Sequence, residues 1–291
     1  ARNGLARTLL GIQEACKQTA TLMRRGLREQ GCVEGLAAEL FVSALGATGV
    51  VCTLALEPYA EIVSLSLKPH GAGERYAVVL NPLDGARDAD AGIFRSVFGI
   101  YSVDEQAAAQ PPAAHVLRRG SGMVAAGYAL YGASTLFVLA AEEGGVHGFT
   151  LEAAPEPALS EFVLSHAQIR TPRGRGCSVN LGHACKWPAA IAAFVNSLAA
   201  ASPARTLRHV GLTAGEAHRT LLHGGLFLHP PMRGTPFSKL LFEAAPLAFV
   251  AEKVGGASSD GSRPLLELLP SCLQQRTAVY IGSRGEVGAL E

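Results

Sequence analysis

An acidic turn after a short apolar run is the first place in this sequence where chemistry could occur. Residues 76–80 have the length and apolarity of a buried strand. They lead into Asn81-Pro82-Leu83-Asp84-Gly85, a sequence typical of a turn. A carboxylate such as that of Asp84 offers the hard, anionic oxygens that Mg²⁺ prefers in proteins. Taken alone, the same residue type is equally typical of a turn cap or of a salt-bridged surface acid.

The cysteines and the overall charge argue against several other functions. The net charge is +1, with 25 basic and 24 acidic residues, which gives no electrostatic reason to expect nucleic acid or an anionic membrane as a partner. No apolar stretch reaches the roughly 18 residues of a spanning helix, so we expect a chain that is soluble or held to other proteins. The cysteines are scattered without a Cys-x-x-Cys pair, which argues against a zinc site and a disulfide scaffold: Cys16, Cys32, Cys52, Cys177, Cys185 and Cys272.

The elements that must position the acidic turn alternate between helices and strands. Apolar spacing predicts a helix over residues 4–30, ended by Gly31, and a second helix from Val33 to Leu45. The acidic Glu14 and Glu29 favour a structural helix over a transit peptide in the first segment. Further strands are predicted at 50–54, 76–80, 96–101, 123–131 and 135–140 and near Leu226 and Val279, and further helices at 187–201, 215–222 and 246–254. The fold class is α/β in layers.

Two stretches are predicted to be irregular. Residues 104–120 are rich in Ala, Pro and Gln, which is typical of a flexible surface loop. A cluster of Arg, Pro and Gly at 166–176 indicates a boundary between subdomains. We therefore expect an N-terminal subdomain, residues 1–168, and a C-terminal α/β subdomain, residues 169–291, as the length of 291 residues suggests.

Several strings, in order along the chain, resemble the fructose-1,6-bisphosphatase family. Asn-Pro-Leu-Asp-Gly-Ala-Arg-Asp-Ala-Asp at 81–90 resembles the family's Asp-Pro-Leu-Asp-Gly-Ser-Ser-Asn-Ile-Asp. Other similar strings are Val-Phe-Gly-Ile-Tyr at 97–101, Ala-Ala-Gly-Tyr-Ala-Leu-Tyr-Gly at 125–132, His-Arg-Thr-Leu at 218–221, Gly-Gly-Leu-Phe-Leu-His-Pro at 224–230, Leu-Leu-Phe-Glu at 240–243 and Glu-Lys-Val-Gly-Gly at 252–256. The resemblance implies a layered αβαβα sandwich, usually assembled as a homotetramer.

The resemblance also implies a reaction, the hydrolysis of a sugar 1-phosphate by a water that bound Mg²⁺ ions activate. Asp84 and Glu243 match metal ligands of the family, while Asn81 stands where the family has an aspartate. These three residues are the expected remnant of a magnesium site. Asp84, Asp90 and Glu34 are the candidates for residual catalytic residues.

Two other parts of the family's catalytic machinery have no equivalent in this sequence. The Glu-Glu pair that ligates metal in the family falls on Ala55 and Leu56, and a slip of one residue recovers only Glu57. The mobile loop that carries a water-activating aspartate in the family is reduced to residues 28–34. Because this catalysis relies on positioned charge, we expect it to be lost or strongly impaired.

The family's sugar-phosphate pocket is altered in the second half of the chain. Three family tyrosines correspond to His183, His209 and His229. This pattern is compatible with drift in an unused pocket, with a remodelled anion pocket in which imidazolium binds phosphate, or with a new metal site. Arg87 could grip an anion, or it could fill the metal site by pairing with Asp84. The candidate substrate-binding residues are Asn180, His183, Arg208, His209, His229, Lys239 and Arg87.

Three functions remain open from the sequence. The favoured hypothesis is a non-catalytic homologue, without a cofactor, that serves as a structural or regulatory subunit of an assembly with copies of itself or with other chains. The alternative is an active, divergent Mg²⁺-dependent sugar-phosphate phosphatase, and the third is a sugar-phosphate sensor. No nucleic acid partner is expected. The cytoplasm, a plastid and a mitochondrion all remain possible locations.

Overall fold

The computed structural model describes residues 3–24, 30–65, 74–85, 94–152, 154, 160–203, 205–211, 213–233 and 235–291. The helices are α1 Asn3–Arg24, α2 Gln30–Thr48, α3 Glu105–Ala108, α4 Pro112–Val116, α5 Ala189–Ala200, α6 Thr213–His223, α7 Ala245–Lys253 and α8 Arg284–Gly288. The strands are β1 Val51–Leu56, β2 Glu61–Ser64, β3 Arg75–Asp84, β4 Phe94–Val103, β5 Met123–Tyr131, β6 Thr135–Ala141, β7 Gly145–Glu152, β8 Glu161–His166, β9 Gly176–Ser178, β10 Thr206–Arg208, β11 Leu226–His229, β12 Ser238–Lys239, β13 Ala257–Ser259, β14 Arg276–Thr277 and β15 Val279–Gly282.

These elements stack in five layers. Helices α1 and α2 cover one face of an eight-stranded sheet of order β2-β1-β3-β4-β5-β6-β7-β8. Helices α6 and α7 lie between that sheet and a five-stranded sheet of order β10-β9-β11-β15-β13. Helices α5 and α8 pack on the outer face of the second sheet. The αβαβα sandwich that the sequence predicts is thereby confirmed.

Side-chain alternation along β3 shows how the first sheet separates two cores. Val78 and Leu80 are fully buried on the α1–α2 side, whereas Ala77 and Val79 are fully buried on the α7 side. Helix α7 is buried around its whole circumference from Ala245 to Ala251, as expected for a helix with a sheet on either side. The apolar run at 76–80 therefore belongs to a central strand covered on both faces.

The acidic turn is part of this strand. Strand β3 continues through Asn81, Pro82 and Leu83 to Asp84, and it pairs with β4 with a register shift between Asn81 and Asp84. The prediction that a turn begins at Asn81 is therefore wrong, because the strand continues as far as Asp84. The irregular pairing turns the strand end, so that Asn81 and Asp84 both line the cleft described below.

The first two helices differ from the prediction at their junction. Helix α1 is described as far as Arg24, residues 25–29 lie outside the described residues, and Gly31 lies inside α2, where it does not end a helix. A glycine inside a helix costs only about 1 kcal/mol relative to alanine, and packing of the helix against the first sheet offsets that cost. Ile12, Ala15 and Cys16 are fully buried, which confirms that the first segment is a structural helix.

The prediction of an irregular loop over residues 104–120 is wrong. The segment forms α3 and α4, and the Asp104 carboxylate caps α3 by accepting a hydrogen bond from the Ala107 amide at 2.7 Å. The buried His115 ring on α4 lies with Nδ1 2.7 Å from the Thr53 hydroxyl. These contacts with β1 order a stretch whose composition alone is typical of a loop.

Across the described ranges, no helix is both long enough and apolar enough to cross a membrane.

Candidate functional site

A cleft of about 630 Å³ is lined by residues from both sheets. Strands β1 and β3 are parallel neighbours, so their carboxyl ends meet at one edge of the first sheet. That edge contributes Glu57, Asn81 and Asp84 to the cleft, while the second sheet contributes His209 after β10 and His229 at the end of β11. Strand ends of this kind are the usual ligand sites of layered α/β folds.

Arg95 lies at the centre of the acidic part of the cleft. In the antiparallel pairing of β3 and β4 it stands opposite Asp84. Its Nη2 donates to Asp84 Oδ2 and also to Glu243 Oε1, the latter at 2.6 Å. Arg95 is 6% exposed and Glu243 is 7% exposed, and charges this far removed from water require compensating partners. A side chain of the protein itself thus bridges the two acids predicted to ligate metal.

Glu243 reaches the cleft from a single π-helical turn, Leu240–Ala244, directly before α7. The turn is anchored by Leu240, Leu241 and Phe242, all fully buried. Isolated π-helical turns frequently occur at functional sites, because the extra residue redirects a side chain. Burial of the turn fixes where the Glu243 carboxylate can point.

The Glu57 and Glu216 carboxylates of the cleft also accept hydrogen bonds from other groups of the chain. Glu57 follows the buried Ala55 and Leu56 at the end of β1, and its carboxylate accepts a hydrogen bond from the Lys239 ammonium. The Glu216 carboxylate on α6 accepts from the Val210 amide. At the end of β1, where the resemblance predicts a pair of glutamates in the family, this chain therefore offers one carboxylate, which pairs with a lysine.

His183, His209 and His229, which are predicted to correspond to family tyrosines, all line the cleft. His229 Nδ1 lies 2.9 Å from the Ser238 hydroxyl, and burial, followed by the charges of His209, Arg95 and His183, lowers the pKa of His229 to about 4. Burial also lowers the pKa of His209; Glu216, 3.9 Å away, opposes this, and His183 adds to it. His229 and His209 are therefore mostly uncharged at neutral pH before an anion arrives.

The remaining predicted site residues are placed as follows. Asn180, His183 and Lys239 line the cleft, as does Glu34; the Asn180 side chain also accepts a hydrogen bond from the Gly182 amide at 3.1 Å. Arg208, at the end of β10, is exposed and is not among the residues that line the cleft. Arg87 and Asp90 lie outside the described residues.

As arranged, these side chains do not fit a magnesium site. Mg²⁺ requires a near-octahedral set of oxygens at about 2.0–2.1 Å, yet Asp84 and Glu243 accept hydrogen bonds from Arg95. Within the described part of the chain, no three His, Cys, Asp or Glu side chains are grouped so as to hold a metal ion. Asn81 Oδ1 is the exception among the oxygens, since it is buried without a hydrogen-bond partner among the described residues.

Two cations of the cleft were not predicted. Arg276 on β14 lies over the Phe237 ring at 5.7 Å, and Arg95 bridges the two acids. The sequence does contain a signal for Arg95, since it is the only charged residue in the ten-residue strand Phe94–Val103. A cation inside a strand buried on both faces indicates a buried counter-ion.

The five-layer sandwich with this cleft is a sugar-phosphatase fold. Family models described as "Fructose-1-6-bisphosphatase, N-terminal domain" and "Fructose-1-6-bisphosphatase, C-terminal domain" match residues 11–167 and 171–291. The crystal structure of Leishmania major fructose-1,6-bisphosphatase in apo form matches with a TM-score of 0.89 at 30% identity, covering 100% of this chain and 93% of that one.

Two curated relatives extend the comparison. The cytosolic fructose-1,6-bisphosphatase of Arabidopsis thaliana is 38% identical over 266 residues, which cover 89% of this chain and 75% of that protein. Fructose-1,6-bisphosphatase class 1 2 of Salinibacter ruber is 38% identical over 269 residues, which cover 89% and 73%. The chain belongs to the fructose-1,6-bisphosphatase family.

Proposed function

We propose that this chain is a sugar-phosphate-binding member of its family in which Mg²⁺-dependent hydrolysis is strongly impaired. The proposal rests on the ion pairs that the carboxylates of the cleft form with cations of the chain. Arg95 bridges Asp84 and Glu243, and Lys239 holds Glu57. These carboxylates are the ones that correspond, or nearly correspond, to metal ligands of the family, and each is engaged by a cation of the chain.

The magnitude of the electrostatic penalty supports this reading. A divalent ion about 4 Å from a guanidinium is repelled by on the order of 8 kcal/mol at an effective dielectric constant near 20, which cancels the attraction of one of the two carboxylates at the same distance. Asn81 and the apolar Ala55 and Leu56 add no anionic oxygen to offset that repulsion. Mg²⁺ also gives up its water shell reluctantly. We therefore expect metal to be excluded from the acidic end of the cleft as long as Arg95 occupies it.

The rest of the cleft suits an anionic ligand. Arg276 supplies positive charge, Lys239 offers an ammonium that also pairs with Glu57, and His183, His209 and His229 supply ring nitrogens that can donate to a phosphate. The relatives that match this chain are named for fructose 1,6-bisphosphate. A sugar phosphate is thus the ligand class that both the residues and the relatives favour.

A role as a structural or regulatory subunit of an assembly is the further part of this proposal. It is supported by the contrast between a fully packed core and a cleft whose acids are neutralised internally. Native mass measurement on material from the source organism tests it. A stable complex with other chains is the expected result, and a free monomer that binds sugar phosphate tightly would favour a sensor instead.

An active Mg²⁺-dependent phosphatase is the second candidate, and the comparisons taken alone favour it. The two curated relatives, each 38% identical, are named as fructose-1,6-bisphosphatases. Asp84 and Glu243 are retained, and the buried Asn81 Oδ1 could contribute a neutral oxygen. In this case the Arg95 guanidinium must leave both carboxylates before they can hold a metal ion.

Phosphate release from fructose 1,6-bisphosphate at millimolar Mg²⁺ decides between the two candidates. We expect no release above the no-protein blank, while the Arabidopsis thaliana relative serves as the positive control under identical conditions. Turnover by this chain in the usual enzymatic range of about 1–10³ s⁻¹ would refute the proposal and establish the active alternative.

A further inference from the structure

The pairing of β3 with β4 and the π-helical turn before α7 bring two carboxylates to Arg95. The register of β3 and β4 sets it opposite Asp84, and Glu243 arrives from 148 residues away in sequence. A single nitrogen, Nη2, donates to both carboxylates. The geometry is that of one positive centre shared by two anionic oxygens, which is also what a bound cation would provide.

A second observation points to a cation position in the same cleft. Asn81 Oδ1 is buried, with the residue 4% exposed, and it has no hydrogen-bond partner among the described residues. Asn81 lines the cleft together with Asp84, Glu243 and Arg95. Two carboxylates and an amide oxygen form a hard-oxygen donor set of the kind that Mg²⁺ and Mn²⁺ prefer. The buried amide oxygen is not used by Arg95.

We propose that the Arg95 guanidinium is a built-in replacement for a divalent metal ion, so that the cleft binds a phosphorylated sugar without metal, and that its removal opens a divalent-cation site formed by Asp84, Glu243 and Asn81. The inference rests on the proposed function, in that it assumes a sugar-phosphate ligand. It goes further because it names Arg95 as the residue that makes metal unnecessary for ligand binding. It also predicts that removing Arg95 allows a metal ion to bind.

Mn²⁺ binding, followed by electron paramagnetic resonance, tests the metal part. The wild type should bind Mn²⁺ with a dissociation constant weaker than about 1 mM, and Arg95→Ser should bind it at least about tenfold more tightly. Mg²⁺ at saturation should raise the melting temperature of Arg95→Ser by at least about 3 °C and leave the wild type unchanged. Equal Mn²⁺ affinity of the two proteins would overturn the inference.

Arg276→Ser is the matched control. Arg276 lines the same cleft and carries the same charge, but it contacts the Phe237 ring, and among the described residues it forms no ion pair with Asp84 or Glu243. Its removal should not create Mn²⁺ binding. If Arg276→Ser binds Mn²⁺ as tightly as Arg95→Ser does, the effect is one of general charge, and the specific role of Arg95 is refuted.

The wild type alone provides a test that does not depend on a variant folding. Calorimetric titration with fructose 1,6-bisphosphate should give the same affinity in EDTA and in millimolar Mg²⁺. Affinity that rises tenfold or more with Mg²⁺ would overturn the inference. This result is separate from the test of the proposed function: a wild type that releases phosphate fails that proposal, whereas an inactive wild type whose ligand binding needs metal fails only this one.

Discussion

His218 gives the fold a defined sensitivity to acid. Its ring lies on α6 between the two sheets, with Nδ1 2.9 Å from the hydroxyl of the fully buried Tyr128. Burial, followed by the charges of His166 and His223, lowers the pKa of His218 from 6.5 to about 4. The unfolded chain therefore binds this proton at a higher pH than the folded chain does. Stability from this residue is complete above pH 6.5 and is lost as the pH falls from 6.5 to 4.

The size of the loss follows from the two pKa values. Proton linkage with pKa values of 6.5 and about 4 gives a loss of about 2 kcal/mol at pH 5 and about 3 kcal/mol below pH 4. We expect His218→Gln, which can still hydrogen-bond to Tyr128, to reduce the drop in unfolding free energy between pH 7.5 and pH 5 by about 2 kcal/mol. Urea unfolding followed by the fluorescence of Trp187, the single tryptophan, measures it.

His147→Gln is the control for that experiment. The His147 ring is solvent-accessible on β7 and lies with Nε2 2.9 Å from the Gly144 carbonyl oxygen, so this variant should keep the full pH dependence of the wild type. His229 remains in all three proteins, and its contribution cancels in the comparison. If His218→Gln loses as much stability on acidification as the wild type does, the attribution to His218 is wrong.

Two further changes test packing and the anionic cleft. A Cβ at Gly127 would lie 2.2 Å from the Val138 carbonyl oxygen, so Gly127→Ala should destabilise the protein by at least about 3 kcal/mol in urea unfolding. Gly132→Ala, whose Cβ meets nothing closer than 3.9 Å, should change stability by less than about 1 kcal/mol, and equal effects of the two would contradict the packing argument. Lys239→Met removes a cation and leaves Glu57 unpaired, so calorimetry should show fructose 1,6-bisphosphate binding about tenfold weaker; an unchanged affinity would count against this cleft as the ligand site.

The central strand β5 was predicted from the sequence, and the edge strand β8 was not. Strand β5 spans Met123–Tyr131, the predicted range, because its residues are buried on both faces and read as a continuous apolar run. Strand β8, Glu161–His166, was missed. It lies at the edge of the sheet with Val163 and Leu164 about half exposed, so neither face imposes an apolar pattern. An apolar pattern in the sequence reflects the burial of a strand, and the residues of β8 are mostly exposed.

The cleft was foreseeable from motifs, but its chemistry was not. The strings around Asp84 and Glu243 placed both acids at one site, as the structure does. The partner of these acids depends on the register between β3 and β4, which is a tertiary property. The sequence offers Arg87 as a possible partner of Asp84, but Arg87 lies outside the described residues. In the structure, Arg95 forms the ion pair with Asp84.

The retention of Asp84 and Glu243 does not by itself indicate catalysis, because Arg95 changes what those acids do. A buried Glu243 without a cation would carry an uncompensated charge, and breaking a buried ion pair at one partner typically costs about 3–5 kcal/mol. Replacing either acid in the presence of Arg95 would leave the buried guanidinium with one carboxylate partner in place of two. The three side chains therefore depend on one another for stability, whether or not a metal ion ever enters the cleft. Motif matching counts the two acids as evidence for a metal site, but once Arg95 is present the same two acids are required to bury an arginine. Compared with the acidic ligands that the resemblance implies, the neutral residues at 55, 56 and 81 and the cation at 95 would all make the cleft less negative, which is what the proposal of a positive charge held by the protein itself requires.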